Sequence, residues 1–461
     1  MLGGLRRWVH EWRPSAITLG APTFPLIVLF GLNAVDELDR AAFAVLLPDI
    51  RDHFDLSDAG ALRLVSLTTI AVLLIEIPLS FYCDRGNRVR IATIGAAVWA
   101  LFSFGTGAAV VVGSLGMLVA MRIGAGSGRA VVTPTHSSLL SDYYEPGARV
   151  KVFSAHRQAN SVGQILGPLL GGVIAATLGL AWPFFLFAIP TLVFVAMSLR
   201  LHEPVRGYHE RKAAGLDEEA ALVAEDHEGV WGTMKVLHRV RTIRRIWWAV
   251  PFLAVALFGV PNLLALVYED VFNLDSAARG AIAAGAEPLQ VIGVFLAMPR
   301  VAKVAFTDPG FLLRFVAIVG VVDGLVLVVL AYSPWLWLAV TMHMILAASI
   351  GTLAPAFFAL ISIVAPPRVR AASFSTISVF AIPGIAVFLP LIGQVSDHLS
   401  IQASMITLVP IAVTAGFILR SAAQFVVDDI VTANAPPGGQ DREQALAEDL
   451  AEADTFDAPH A

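Results

Sequence analysis

Ten residues decide the fold: Phe81-Tyr82-Cys83-Asp84-Arg85-Gly86-Asn87-Arg88-Val89-Arg90. They place one acidic and three basic side chains around a glycine, and on each side lies an apolar segment long enough to cross a bilayer. A membrane-spanning helix needs about 20 mostly apolar residues, because each residue advances the helix by about 1.5 Å. The stretch is therefore predicted to be a tight turn between two membrane helices, on the side of the membrane where cations collect.

The composition requires a lipid environment. Of the 461 residues, 57% are hydrophobic and 15% are charged, and the mean hydropathy is +0.74. A soluble globule of this size needs more polar surface than that, so the soluble class is excluded. The net charge of −5 does not indicate nucleic acid, and no such partner is predicted. The single Cys83 excludes an intramolecular disulfide.

Twelve segments are predicted to span the membrane, which makes the chain an all-α membrane protein. They cover residues 23–47, 59–82, 91–112, 115–141, 152–178, 182–199, 246–268, 278–298, 311–332, 335–364, 371–395 and 401–426. The predicted domains are an N-terminus (1–22), a six-helix bundle (23–200), an inter-bundle loop (201–245), a second six-helix bundle (246–427) and an acidic disordered tail (428–461).

The two predicted bundles are copies of one another. One constant offset along the chain superimposes Pro134 on Pro355, Gly163 on Gly384 and Gly172 on Gly393, together with further polar and apolar matches. Matched Pro and Gly residues at fixed helix depths are poorly explained by shared hydrophobicity. A duplicated six-helix unit with pseudo-symmetry is the simpler account, and secondary transporters bind substrate between such repeats.

The orientation follows from the cations. If the amino terminus is cytoplasmic, most of the 31 Lys and Arg residues fall in cytoplasmic segments, and only Arg51 and Arg279 lie at the outer ends of spans. We predict a multi-pass protein of the cell (inner) membrane, with both termini in the cytoplasm. A monomer is expected.

Ionisable side chains inside the spans are candidate functional residues, because an unpaired ion at the bilayer centre costs about 3 kcal/mol or more. The i, i+4 spacing predicts that Asp36 pairs with Arg40. Glu37 and Asp39 lie about as deep as Arg129, so an ion pair to span four is predicted there. The coupling and translocation candidates are Asn33, Asp36, Glu37, Asp39, Arg40, Glu76, Arg122, Arg129, His136, Arg157, Gln158, Glu287, Asp323 and His343.

Three further expectations concern these charged residues. Glu76 and Arg157 lie at similar depth and are predicted to pair. Glu287 and Asp323 have no obvious cationic neighbour, so one of them is expected to be protonated or to line water. The span-one and span-four charges are interpreted as a proton-coupled cluster, with a permanent salt bridge between the two spans as the structural alternative.

No catalytic set is recognisable. The chain has no phosphate-cradling loop of the Walker type, no His or Cys spacing for a metal, and no nucleophile motif. An enzyme is not predicted, no cofactor or metal is expected, and transport would be driven by a gradient.

Three motifs resemble the major facilitator superfamily over about the first 430 residues, and within it the spinster branch of lipid-linked transporters. The turn Asp84-Arg85-Gly86-Asn87-Arg88 resembles the family's signature between spans two and three. Span one, with Leu38-Asp39-Arg40, and Arg122 of span four are similar to the spinster branch. The Gly-rich pattern associated with antiporters matches Gly163, Gly167, Pro168, Gly171 and Gly172.

The resemblance implies roles for these residues. Asp84, Arg85 and Arg88 are expected to form a cytoplasmic gate, and the glycines of span five a close helix-packing seam. Arg129 stands where spinster-like sequences usually carry an acidic residue, so Asp36 or Glu37 is expected to take over as the titrating group.

A proton-linked exporter of an amphipathic substrate, such as a lysolipid or a sphingoid compound, is implied, with protons and membrane lipids as partners. The alternatives are a multidrug antiporter of the same fold and a receptor or scaffold on a transporter fold.

Overall fold

The computed structural model describes residues 13–206, 230–365 and 370–434, in which every regular element is a helix. Spans one to six are Phe24–Val45, Asp58–Arg85, Arg88–Val112, Leu115–Tyr143, Pro146–Leu178 and Trp182–Ser198. Spans seven to twelve are Arg241–Asp270, Ser276–Thr307, Phe311–Ala331, Leu336–Val364, Arg370–His398 and Ile401–Val431. A short helix, Leu47–His53, follows span one, and another, Val230–Arg239, precedes span seven.

Ten helices in the described ranges are long and apolar enough to cross a membrane. Span one falls outside that group because four ionisable side chains lie within its 22 residues. Span six has only 17 residues, which is the lower limit for a crossing helix. With these two, the described residues contain the twelve spans that the sequence predicts.

Local signals set the helix ends around span three. Asn87 Oδ1 accepts the backbone N–H of Arg90 at 2.8 Å and begins the span. Gly113, with φ at +71°, ends it in the left-handed conformation that favours glycine. Ser114 then begins span four by accepting the N–H of Met117 at 3.3 Å. Two tight turns result, one at each end of the span.

Span four is broken into the helices Leu115–Arg129 and Val132–Tyr143. Pro134 explains the break, because its ring carries no N–H for the carbonyl of Ala130 and crowds that carbonyl. Arg129 therefore stands at the end of a helix inside the bundle.

The molecule has two distinguishable ends. Because the chain crosses twelve times, residues 13 and 434 lie at the same end, here called the terminal end. The opposite, or far, end carries the helix Leu47–His53 and the turn between spans seven and eight. Spans one to six form the first half and spans seven to twelve the second, and the halves pack chiefly through spans five and eight and spans two and eleven.

The hydrogen bonds between the described parts of the two halves run only from the far end to mid-depth. Ser276 Oγ donates to the Gly172 carbonyl at 3.2 Å, and Ala59 N donates to Asp397 Oδ1 at 3.2 Å. The deepest such bond joins Ser161 of span five to Glu287 of span eight. The halves are thus fastened together on the far side of the membrane's middle.

Residues 428–434, predicted to be disordered, instead form a helix, Val426–Asn434. Asp429 is buried and accepts the N–H of Thr242 at 2.6 Å, and Asp428 lies 3.1 Å from Arg241 Nη2. These contacts cap the start of span seven, so the prediction was wrong for this part of the tail. Residues 435–461 of the tail and 207–229 of the inter-bundle loop lie outside the described residues, and the remaining domain boundaries stay a prediction.

Candidate functional site

A buried ion pair joins spans one and four. Asp39 has no exposed surface, and Arg122 Nη1 donates to Asp39 Oδ2 at 2.9 Å. The Ser103 hydroxyl of span three donates to the other carboxylate oxygen at 3.0 Å. The Arg122 guanidinium also lies 4.1 Å from the centre of the Phe43 ring. Every partner belongs to the first half, so this pair holds one half together and does not join the two.

A second pair, Glu37 and Arg40, is open on one side. Arg40 Nε donates to Glu37 Oε2 at 3.0 Å, and Asn160 of span five donates to Oε1 at 3.1 Å. Asn33 donates in turn to Asn160 at 2.8 Å. The Arg40 side chain is 42% exposed although it lies midway along the molecule, and it interacts electrostatically with Glu287 of the second half. Arg40 therefore borders the space between the halves.

The third pair is Asp36 with Arg129. Arg129 Nε lies 3.2 Å from Asp36 Oδ1, but that oxygen accepts no hydrogen bond of normal geometry. The predicted pairing of Asp36 with Arg40 is wrong, because Asp36 faces span four while Arg40 reaches the longer Glu37 one helical turn away. Neither Glu37 nor Asp39 forms an ion pair with Arg129. The predicted cluster is thus three separate pairs.

In the second half, Glu287 contacts the opposite half directly. The Ser161 hydroxyl donates to Glu287 Oε1 at 2.9 Å, and Gln290 Nε2 donates to Oε2 at 2.6 Å. Asp323 is buried in span nine beside Ser349, without a hydrogen bond of normal geometry to either carboxylate oxygen. Neither carboxyl forms an ion pair with a described residue, in agreement with the expectation, although Glu287 interacts electrostatically with Arg40.

The remaining candidates are dispersed. His343 is buried, with its Nδ1 3.0 Å from the Tyr268 hydroxyl, and His136 Nδ1 lies 3.2 Å from His156 Nε2. Both are packed inside their own halves.

Arg157 and Gln158 are exposed on span five, and Glu76 is partly exposed on span two. The predicted pair of Glu76 and Arg157 is not among the ion pairs of the described residues, because spans two and five share no extensive contact. Within the described ranges, no three His, Cys, Asp or Glu side chains could share a metal ion.

Only one residue of the predicted gate can be placed. The side chains of Asp84 and Arg85 lie outside the described residues. Arg88 is buried and donates to Glu203 Oε1 at 2.7 Å and Ser138 Oγ at 2.6 Å, and it also pairs with Asp142. All three partners lie in the first half or directly after it, so Arg88 fastens the segment after span six to the turn between spans two and three.

The glycines of span five lie where other backbone comes close. A Cβ atom added at Gly163 would lie 2.6 Å from the Ala34 carbonyl oxygen, and one at Gly167 would lie 2.3 Å from that of Leu38. A Cβ atom added at Gly171 would lie 2.7 Å from the Cβ atom of Ala42. These three therefore let span one pack directly on span five.

The other two motif residues contact the second half. A Cβ at Gly172 would lie 2.2 Å from the Ser276 carbonyl oxygen, and the Pro168 carbonyl oxygen lies 2.1 Å from a Cβ built on Gly280. The motif thus serves two interfaces, one within the first half and one between the halves.

An ion network at the far end was not predicted from the sequence. It is here called the far-end clamp and is formed by Asp49, Arg51, Glu269, Asp270 and Arg279. Arg51 donates to both carboxylate oxygens of Asp270 at 2.9 Å. Arg279 pairs with Asp49 and lies 3.3 Å from Glu269. Each arginine thus binds a carboxylate of the opposite half. The sequence contained one signal for this network: Arg51 and Arg279 are the two cations predicted at the outer ends of spans, where Lys and Arg are otherwise rare.

Burial affects the clamp residues outside the spans. It opposes charge on Arg51, but the hydrogen bonds to Asp270 and Asp58 outweigh it and raise the pKa of the guanidinium. Burial also raises the pKa of the Asp49 carboxyl, and the neighbouring Arg279 offsets this only in part.

Apolar helices in two packed halves, with paired charges at mid-depth, are typical of membrane transporters. A family model described as the Major Facilitator Superfamily matches residues 29–382, and the chain belongs to this family. The curated proteins to which it is similar include several of the spinster branch, at 26–29% identity.

One curated protein and two solved structures are similar to this chain. Protein spinster of Drosophila melanogaster is 26% identical over 299 residues, which cover 62% of this chain and 47% of that protein. The crystal structure of a bacterial homologue of the human lysosomal transporter spinster, inward-facing and unoccupied, has a TM-score of 0.70 at 18% identity and covers 88% of this chain and 98% of that one.

A D-xylose–proton symporter structure has a TM-score of 0.64 at 16% identity, over 87% of this chain and 96% of that one. The structural likenesses show the fold. The aligned region spans about half the length of the spinster protein.

Proposed function

We propose that this secondary transporter exports an amphipathic substrate, lysolipid-like or sphingoid-like, in exchange for protons. The observation that carries the proposal is Arg40, a cation at mid-depth that is 42% exposed and borders the space between the halves. A half-exposed cation among apolar helices suits the polar head of a molecule whose chain contacts apolar surface. We place the protein in the cell (inner) membrane as a monomer, with the terminal end in the cytoplasm.

Alternating access follows from the two ends of the interface. The far-end clamp and the Ser161–Glu287 bond fasten the halves from the far end to mid-depth. In the proposed orientation the substrate enters from the cytoplasm. Export then requires the clamp to break and the terminal end to close, so the clamp residues must exchange their partners for water.

Proton coupling rests on the carboxylates of span one. A carboxylate in apolar surroundings that loses its cation takes up a proton, because a bare buried ion is costly. Glu37, at the space between the halves beside Arg40, is the first candidate: the ammonium group of a substrate head can take the place of the proton at its carboxylate, while Arg40 binds the phosphate. Asp36, which is loosely paired with Arg129, is the second candidate. Loss of the substrate at the far end would let the carboxylate take up a proton, and the next substrate would displace that proton on the terminal side.

The test uses the purified protein in proteoliposomes with an imposed pH gradient and a fluorescent lysophospholipid. Arg40→Ala should lower the transport rate at least tenfold or so, because a charge-assisted contact to the substrate is lost. Arg420→Ala removes an exposed arginine at the terminal end and is the matched control, with expected wild-type transport.

Three results would contradict the proposal. A lysophospholipid transport rate that does not change with the pH gradient would contradict proton coupling. Unchanged transport by Arg40→Ala would remove the proposed head-group contact. Transport of cationic dyes without any movement of lysophospholipid would favour the multidrug antiporter.

A further inference from the structure

A groove of about 460 Å³ lies where spans two, four and eleven meet near the far end. Its lining is mostly apolar and includes Leu67 and Ile70 of span two, Val119 of span four, and Ala386 and Pro390 of span eleven. Leu67 and Ala386 are exposed, so the groove is open on its outer side. Since span eleven belongs to the second half, both halves are needed to form it.

Arg63 is the one charged residue of this lining. Its side chain is exposed, and it makes no hydrogen bond or ion pair with a described residue. Arg63 lies five residues inside the start of span two at Asp58, which is roughly 7.5 Å along the helix axis. That depth is where the polar head groups of a bilayer meet the acyl chains.

We propose that this groove binds one anionic phospholipid, with the phosphate at Arg63 and an acyl chain along the apolar lining. Charge complementarity supports an anion, because a membrane-facing guanidinium without a protein carboxylate needs a counter-ion. The apolar floor supports a lipid and not a free anion, since inorganic phosphate gains nothing from Leu67, Ile70 or Pro390. The site is separate from the proposed head-group contact at Arg40.

The existence of the groove depends on the conformation of the protein. Span two touches span eleven beside it: a Cβ at Gly393 would lie 2.5 Å from the Ala59 Cα, and the Asp58 carboxylate accepts a hydrogen bond from Ser396. Opening the far end separates these spans and dismantles the groove. A lipid held there stabilises the arrangement with the far end closed. This consequence rests on the proposed alternating access, whereas lipid binding does not.

Binding is tested by native mass spectrometry of the detergent-solubilised protein titrated with phosphatidylglycerol or phosphatidylcholine. The wild type should bind one phosphatidylglycerol more tightly than phosphatidylcholine, and Arg63→Gln should weaken phosphatidylglycerol binding about tenfold. Arg63→Lys should keep most of the affinity. Arg90→Gln, which removes an exposed arginine at the terminal end, should bind like the wild type.

Additional measurements distinguish the ligands that could occupy the groove. Ala386→Phe fills the apolar part and should weaken lipid binding, while inorganic phosphate should not compete. Unchanged binding by Arg63→Gln, or equal affinity for phosphatidylcholine, would overturn the site. Competition by free phosphate without any effect of Ala386→Phe would show an anion site only. Displacement by low concentrations of lysophospholipid would make it a substrate site instead.

The conformational consequence is read from spin labels on Asp55→Cys and Leu399→Cys, both exposed at the far end, with Cys83→Ala as background. Phosphatidylglycerol nanodiscs should raise the fraction with the short inter-label distance above that in phosphatidylcholine, and Arg63→Gln should abolish the difference. An equal fraction in both lipids, with phosphatidylglycerol still bound, would refute the coupling but leave the site.

Discussion

The Asp39–Arg122 pair and the far-end clamp use the same chemistry in opposite ways. Asp39 and Arg122 lie on helices of one half and are almost completely buried. The clamp joins carboxylates and arginines of opposite halves, and several of its members reach solvent, such as Asp49 with 30% of its side chain exposed. A relative movement of the halves leaves the first pair intact and must break the second.

This difference indicates where stability and where movement reside. A buried pair that loses one partner leaves an ion without solvent, which costs several kcal/mol. A clamp residue that loses its partner is hydrated when the far end opens, so its loss costs much less. The buried pair should therefore determine the free energy of unfolding of the first half, and the clamp should determine the balance between conformations.

The largest effect is expected at the buried pair. Arg122→Leu leaves the Asp39 carboxylate without a cation and should lower the free energy of unfolding by about 3–5 kcal/mol. Thermal unfolding in detergent measures this. The double variant Asp39→Leu/Arg122→Leu should recover much of the loss, because no buried charge remains. Equal loss in the single and double variants would mean that packing, and not charge, sets the effect.

The glycines of span five allow the same comparison, between contacts within one half and contacts between the halves, to be tested through packing. Gly167→Ala places a Cβ against the Leu38 carbonyl within the first half and should cost about 1–3 kcal/mol of unfolding free energy. Gly172→Ala meets Ser276 of the second half, a contact that separation of the halves relieves. It should lower stability less and shift the spin-label distances toward the open far end. The reverse order of effects would contradict the assignment of the two interfaces.

The clamp itself is expected to act on conformation. Asp270→Asn weakens the two-point contact with Arg51 and should raise the population with an open far end by about fivefold to tenfold, equivalent to about 1–1.4 kcal/mol. The distance distribution between labels on Asp55→Cys and Leu399→Cys reports it. Asp428→Asn, at an exposed ion pair within the second half, is the control and should leave the distribution unchanged.

The smallest expected effect is that of pH on the clamp. Burial raises the pKa of the Asp49 carboxyl in the closed protein above its ordinary value of 3.8. Protonation of Asp49 therefore favours the closed far end. This contribution is complete below pH 3.8 and is lost as the pH rises through the raised pKa. Acidification toward pH 4 should raise the closed population less than about threefold. Asp49→Asn should flatten this dependence, and an unchanged slope in that variant would assign the pH response to other groups.

The sequence by itself determined the membrane helices and which side chains carry costly buried charge. Runs of apolar residues, the charged turn at residues 84–88 and the span-five glycines are local signals, and each depends on helix geometry and transfer energy alone. Those signals also placed the ionisable residues of span one near mid-depth. They could not distinguish Asp36, Glu37 and Asp39, which are neighbours on one helix.

Only the tertiary structure decided which charge meets which. Three acids within four residues point in different directions, so Asp36 meets Arg129, Glu37 meets Arg40 and Asp39 meets Arg122. The far-end clamp brings Arg51 and Asp270 together from positions far apart in the chain. No periodicity encodes such a contact, because it depends on how two rigid halves are docked, and that docking is a property of helix packing in three dimensions.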